Sequence, residues 1–238
     1  MLINADLGEG CGNDAAIMPF IDLASIACGG HAGDTETMRN AVSLCKKHAV
    51  KVGAHPSYVD RDNFGRASQL AEKNAESIVG DCINQVSQLA QICQRANSTL
   101  HYIKPHGALY HDLADDTELA DLFVERLLQA MPHLFLVGPP DSALQQSAEQ
   151  AGTTYLAESF ADRRYADNGK LVARSERALA PVLEDLNEVK NQVRMLQAGS
   201  IKTLSGNIIP LATQTLCIHG DTSSAVAIAK VVRETLSP

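Results

Sequence analysis

Four histidines, His31, His55, His106 and His219, each stand beside glycine or proline just behind a short apolar run. The carboxylates Asp6, Glu9, Asp34, Glu158 and Asp221 hold the same place. Imidazoles and carboxylates brought together have two chemical uses. One is to hold a divalent metal that polarises a carbonyl and generates hydroxide near neutral pH, with Asp6, His31 and His55 as candidate ligands. The other is general acid–base catalysis, in which Asp6, Glu9, His31, His55, His106 or Glu158 carries a proton to a leaving nitrogen. The spacing leaves both open: no H-E-x-x-H occurs, so metal ligands would come from separate strands. Asp34 and Asp221 also suit helix caps.

Lys104 and Arg163 add fixed positive charge at the same kind of position, with Arg174 further out, and suit recognition of a carboxylate or phosphate. With His219 and Asp221 they form the expected substrate-binding set. Gly30 and Gly107, like Gly29 and Gly33, let the backbone approach a ligand or take positive φ. His48, His101, His111 and His133 fall within a helix, within a strand or in outer loops, where a structural role is expected. No serine has a G-x-S-x-G context and no cysteine a histidine partner, which argues against a covalent triad.

Seven short apolar runs must position these groups: 2–5, 23–28, 50–54, 100–103, 134–137, 154–157 and 215–218. Each is too short for a helix and reads as a buried strand. Stripes at helical spacing lie between them, through Met38–Ala49, Ile78–Cys93, Leu119–Ala130 and Ala225–Leu236, and a further helix is expected to begin near Pro140 and stop at Gly152. Asp34, Ser68, Asp116 and Asp221 or Thr222 are the expected N-caps. Repeated β-α order implies parallel strands with helical crossovers. Nearly every run leads into glycine with polar or charged residues, and such ends converge only around a common axis. The expected fold is therefore α/β, an irregular, seven-stranded (β/α) barrel forming a single domain over 1–238, rather than an open dinucleotide-binding sheet. A β-hairpin turning at Gly206-Asn207 is expected near 200–211, and a smaller excursion turning at Asn168-Gly169.

The 238 residues carry 20 basic and 28 acidic side chains, a net charge of −8. With no basic block, nucleic acid and anionic membrane are poor partners, while a local basic pocket for a small anion stays open. Six cysteines without C-x-x-C read as reduced thiols, three of them on apolar helix positions. No run approaches the ~18–20 apolar residues of a membrane span. The first residues show no signal peptide, so a cytoplasmic location is expected.

At these residues the chain resembles the LamB/YcsF family, the A subunit of prokaryotic 5-oxoprolinase. The resemblance is carried by 4–9 (NADLGE), 27–34 (ACGGHAGD), 53–56 (GAHP), 64–66 (FGR), 104–110 (KPHGALY), 160–163 (FADR) and 218–222 (IHGDT), in family order. It implies a barrel of the glycoside hydrolase/deacetylase type. It also implies ATP-dependent opening of the lactam 5-oxo-L-proline to L-glutamate, together with separate B and C subunits. Because G-x-x-x-x-G-K-[ST] is absent, the partners are expected to help activate the lactam. Asp6 or His31 would then activate water, His55, His106 or Glu158 would handle the proton, and Lys104 and Arg163 would hold the carboxylate or a phosphorylated oxygen. Two other classes fit the residues: a stand-alone metal-dependent deacetylase or amidase, and a non-catalytic binding subunit.

Overall fold

The structure, a computed structural model, describes residues 1–174 and 176–237. Its strands are β1 (Leu2–Leu7), β2 (Leu23–Ala27), β3 (Lys51–His55), β4 (Leu100–Ile103), β5 (Phe135–Gly138), β6 (Tyr155–Phe160), β7 (Ser200–Lys202), β8 (Ile208–Pro210) and β9 (Thr215–His219). The helices are α1 (Asp14–Ile17), α2 (Thr35–His48), α3 (Ala75–Arg95), α4 (Gly107–Asp115), α5 (Thr117–Ala130), α6 (Ala143–Gln150), α7 (Leu186–Gln197) and α8 (Ala225–Leu236). Strands β1 to β6 and β9 close into a seven-stranded barrel, every pairing parallel, with β9 joining β6 to β1. The expected barrel and hairpin are both present, β7 and β8 being antiparallel outside the ring. The smaller excursion is a loop pinned by a bridge between Tyr165 and Leu171.

Alternation along each strand divides the core in two. Ile3, Ala5 and Leu7 of β1 join the large apolar cluster shared with the helices. Asn4 and Asp6, of opposite parity, face into the barrel, where the Asn4 amide donates to Thr215 Oγ1 at 3.0 Å. Leu23, Tyr102 and Val137 form a separate apolar floor. Tyr102 fills that floor only because β3 carries glycine there: a Cβ on Gly53 would lie 2.1 Å from its Cζ. Above it the interior is polar, and that layer opens at the strands' carboxyl ends.

Helix signals are partly as expected. Asp34 caps α2 in a capping box with Thr37, and Asp116 accepts from the Leu119 amide at the start of α5. Ser68 does not open α3; Asn74 does, accepting from the Ser77 amide. Ser68 instead donates to Asp112. Ser224, without a side-chain cap bond, precedes α8, and Asp221 is drawn off into ion pairs. Three helices, the short α1 together with α4 and α7, escape the sequence reading. His111 therefore lies on a helix rather than in an outer loop. All six cysteines are free thiols, and no described helix is long and apolar enough to cross a membrane.

Candidate active site

The carboxyl ends of the strands surround a cavity of about 540 Å³. Asp6, Glu9, His55, Lys104, His106 and Arg163 line it, and so do Gly107, His219 and Asp221. Local backbone explains how they arrive there. The chain turns at Gly8, whose amide is held by Asp14 Oδ2 at 2.8 Å, and this swings Glu9 over the β1 end. Beyond β4 the pairing to β3 continues, with Lys104 N donating to Ala54 O and His106 N to Pro56 O, both at 2.9 Å. Gly107 has φ +57, and a Cβ there would meet Gly65 O at 2.4 Å. Only glycine lets the loop around 60–66 dock this closely. That docking places the Phe64 carbonyl against His106.

Three imidazoles and one carboxylate converge. His31 Nε2 is 2.9 Å from Glu9 Oε1, His106 Nδ1 is 3.4 Å from it and His55 Nε2 is 3.9 Å from it. His55 Nε2 and His106 Nδ1 are 2.9 Å apart. The far nitrogens are committed: His55 Nδ1 donates to Lys104 O at 2.7 Å and His106 Nε2 to Phe64 O at 3.0 Å. Two neutral rings so tied face each other with lone pairs, so a proton sits between them only when one ring is a cation. Burial opposes charge on His55, but Asp6, 3.3 Å away, overcomes it and raises the pKa. Burial and then the His55 charge push His106 well down. His31 stacks on His106 at 3.6 Å, is lowered by burial, and leaves its Nδ1 without a partner.

Lys104, 2 % exposed, forms a second group. Its ammonium donates to Asp6 Oδ1 at 2.8 Å, Asn4 Oδ1 at 3.1 Å and Cys217 Sγ at 3.1 Å. It also lies 2.8 Å from Glu158 Oε1, within ion-pair distance but off hydrogen-bond alignment. Burial would lower the Lys104 pKa, but Asp6, Cys217 and Glu158 raise it well above the usual lysine value. Asp6 is depressed far below the carboxylate range, His55 and Lys104 outweighing its burial. Saturated in this way, Lys104 fixes the carboxylates rather than offering a free cation.

A third group pairs an imidazole with a buried carboxylate. His219 Nδ1 donates to Asp162 at 2.9 Å, the His219 amide binds the same carboxylate at 3.0 Å, and Phe160 stacks on the ring. This leaves Nε2 as the available nitrogen. Asp162 is fully buried, and the His219 charge, overriding that burial, holds its pKa down. Arg163 is 5 % exposed and donates to the carbonyls of Pro181 and Val172. Among the described residues no carboxylate pairs with it. Burial and then Arg174 lower its pKa to about 10. Arg174 and Arg66 share Asp221 at 2.9 and 3.5 Å.

The anticipated residues are thus brought together with two differences. Gly30 packs beneath the rim, where a Cβ would lie 2.5 Å from both Gln85 Oε1 and Ser57 Oγ. Glu158 faces inward beside Tyr110, toward a smaller adjoining cavity of about 240 Å³. Missing from the anticipated site are Asn4, Cys217, Asp162, Arg66 and His111. A period-two count from Asp6 and His219 reaches Asn4 and Cys217, because strand residues two apart share a face. His111 lines the cavity because α4 starts directly at the rim. Burial and then Arg163 lower its pKa.

A lactam utilization protein from Thermus thermophilus has a crystal structure similar to this one, with 33 % identity and TM-score 0.89 over 99 % of this chain and 95 % of that one. A putative cellobiose-phosphate cleavage protein from Enterococcus faecalis shares the fold, at 10 % identity and TM-score 0.54 over 99 % and 89 % of the two chains. The LamB/YcsF family profile matches residues 1–238 from end to end, and the chain belongs to that family.

Proposed function

We propose that this chain is the hydrolytic subunit of an ATP-dependent 5-oxoprolinase, opening 5-oxo-L-proline to L-glutamate with separate B and C subunits. The reading is supported by family membership and by likeness to a lactam utilization protein. The observation that carries it is the His219–Asp162 pair facing the same cavity as the uncompensated Arg163. A small ring bearing a carboxylate and an amide needs those two functions side by side.

Hydrolysis adds water to the carbonyl carbon, breaks the C–N bond and gives the nitrogen a proton. Arg163, with Arg174 further out toward the rim, binds the ring carboxylate. Asp162 fixes the tautomer and orientation of His219, whose Nε2 delivers the proton to the leaving nitrogen. At the other end Glu9 and the histidines present lone pairs to a water. Lys104 is a positioning residue that keeps Asp6 ionised and holds Asp6 and Glu158 in place. A lactam amide is a poor electrophile, and the chain carries no G-x-x-x-x-G-K-[ST] loop, so ATP acts through the partner subunits. Its terminal phosphoryl group passes to the amide oxygen with release of ADP. Water addition and C–N cleavage then leave an acyl phosphate, and a second water hydrolyses that to the carboxylate and phosphate.

The test is 5-oxoproline-dependent glutamate formation by this chain alone, with B and C, and with B, C and ATP. Activity only in the last mixture, abolished by Asp162→Asn, is the expected result. Full turnover by the chain alone without ATP overturns the division of labour. Undiminished turnover with Asp162→Asn removes the proton-transfer role.

A further inference from the structure

We infer that Glu9 Oε1, His31 Nε2, His55 Nε2 and His106 Nδ1 form a four-coordinate site for a divalent transition-metal ion of the zinc class. These four residues each offer an atom within 4.8 Å of the other three. Donors 2.0–2.1 Å from a tetrahedral ion are about 3.4 Å apart. Four of the six donor–donor distances are 2.9, 2.9, 3.4 and 3.9 Å, and the remaining two are within 4.8 Å, around that value. Three imidazole nitrogens with one carboxylate oxygen is a donor set that such ions use.

Orientation of the rings is the stronger argument. A ligating histidine gives its second N–H to a carboxylate, carbonyl or water, which fixes the tautomer that points a lone pair at the metal. His55 and His106 do this through the carbonyls of Lys104 and Phe64. Phe64 is held with φ +56, in the left-handed region, at the place that presents its carbonyl to His106. Lone pairs turned toward each other at 2.9 Å across a buried gap need a cation both nitrogens can reach, a proton in the metal-free protein and the metal ion in the loaded one.

Formal charge agrees. Asp6, Glu9 and Glu158 bring three negative charges and Lys104 one positive, all buried or nearly so. The remaining two negatives match a divalent ion among neutral imidazoles. A rival group, Asp6, Cys217 and His219, also lies within 4.8 Å. There the Lys104 ammonium already occupies both Asp6 and Cys217, and His219 is turned to Asp162. A positive charge in that position repels a second cation, so the histidine end is the site. Asp6 is next to it but not in it.

The site stands on this geometry alone and does not depend on the lactam reading. When bound, the ion would supply Lewis acidity to a carbonyl or water able to join as a fifth ligand. The probe is the metal itself. Full-length protein is stripped with a chelator, then titrated with Zn²⁺ by calorimetry and with Co²⁺ by visible absorption. One ion per chain and intense Co²⁺ bands of a four- or five-coordinate site are expected. His106→Ala and Glu9→Gln should each weaken binding by more than about 100-fold, beyond the 10–100-fold that orienting partners are worth. His219→Ala should bind as the unaltered protein does. Circular dichroism identifies any variant that fails to fold, and Glu9→Gln, at the edge of the cluster, is the variant that decides if His106→Ala does. No stoichiometric ion, six-coordinate Co²⁺, undiminished binding by a folded Glu9→Gln protein, or a loss with His219→Ala as large as with His106→Ala overturns the proposal.

Discussion

Replacing Lys104 by methionine removes a buried charge while keeping most of the side-chain volume. Its ammonium lies 2.8 Å from an oxygen of both Asp6 and Glu158, and all three side chains are buried. At an effective dielectric of about 20, each contact is worth about 6 kcal/mol of gross attraction. Removing the ammonium also removes its desolvation penalty, so the net effect is smaller. Breaking a buried pair by deleting one partner typically destabilises by about 3–5 kcal/mol, because the other charge is left stranded. The same change predicts a pH dependence of definite sign. In the unaltered protein the Asp6 pKa is already depressed, so Asp6 is ionised both folded and unfolded between pH 5 and 7, and it adds no slope there. Without Lys104 a charge that holds Asp6 down is lost, and the prediction is that burial then carries its folded-state pKa above the unfolded value. The variant then regains stability as the pH falls, by up to about 1.4 kcal/mol for each unit of that rise. Urea unfolding of both proteins at pH 7 and pH 5 measures the effect, and Lys104→Met/Glu158→Gln should recover part of the loss. A destabilisation below about 1 kcal/mol, or one identical at both pH values, would refute the account of Lys104 as the counter-ion of this layer.

Other consequences can be checked separately. Asp162→Asn should leave the fold intact yet lower kcat by roughly 10³–10⁴-fold in the complete 5-oxoprolinase assay, since it lets His219 adopt the wrong tautomer. Arg163→Gln removes the charge-assisted contact to the ring carboxylate, about 1.5–3 kcal/mol, and should raise KM by about 10- to 100-fold with a smaller change in kcat. Gly53→Ala sets a methyl group 2.1 Å from Tyr102 Cζ. Thermal melts should show a loss of about 1–3 kcal/mol or more, partly restored by Tyr102→Leu.

Much of this protein was legible before folding. Short apolar runs in β-α order, most ending in glycine with polar residues, require parallel strands whose carboxyl ends meet, and the closed ring of seven follows from that pattern. Helix α7 was less legible because its buried stripe, Val189, Val193 and Leu196, is narrow and set among polar residues. Helix α4 was hidden because it begins at the rim, where Gly107 reads as part of a loop. The imidazoles and carboxylates were also visible as a group, because residue type and position behind a strand survive in the sequence.

What the sequence by itself determined is which side chains reach the mouth of the barrel. Only the tertiary structure decided their partners. Lys104 meets Asp6 across 98 residues and Asp162 meets His219 across 57, separations that leave no periodic trace. Period two aims a side chain inward, but strand register and the docking of Gly65 on Gly107 fix how far it reaches. Hence Asp6 belongs to Lys104, while Glu9 and His106 complete the histidine cluster. Proton position and charge follow distances of a few ångströms, and those arise only when the ring closes.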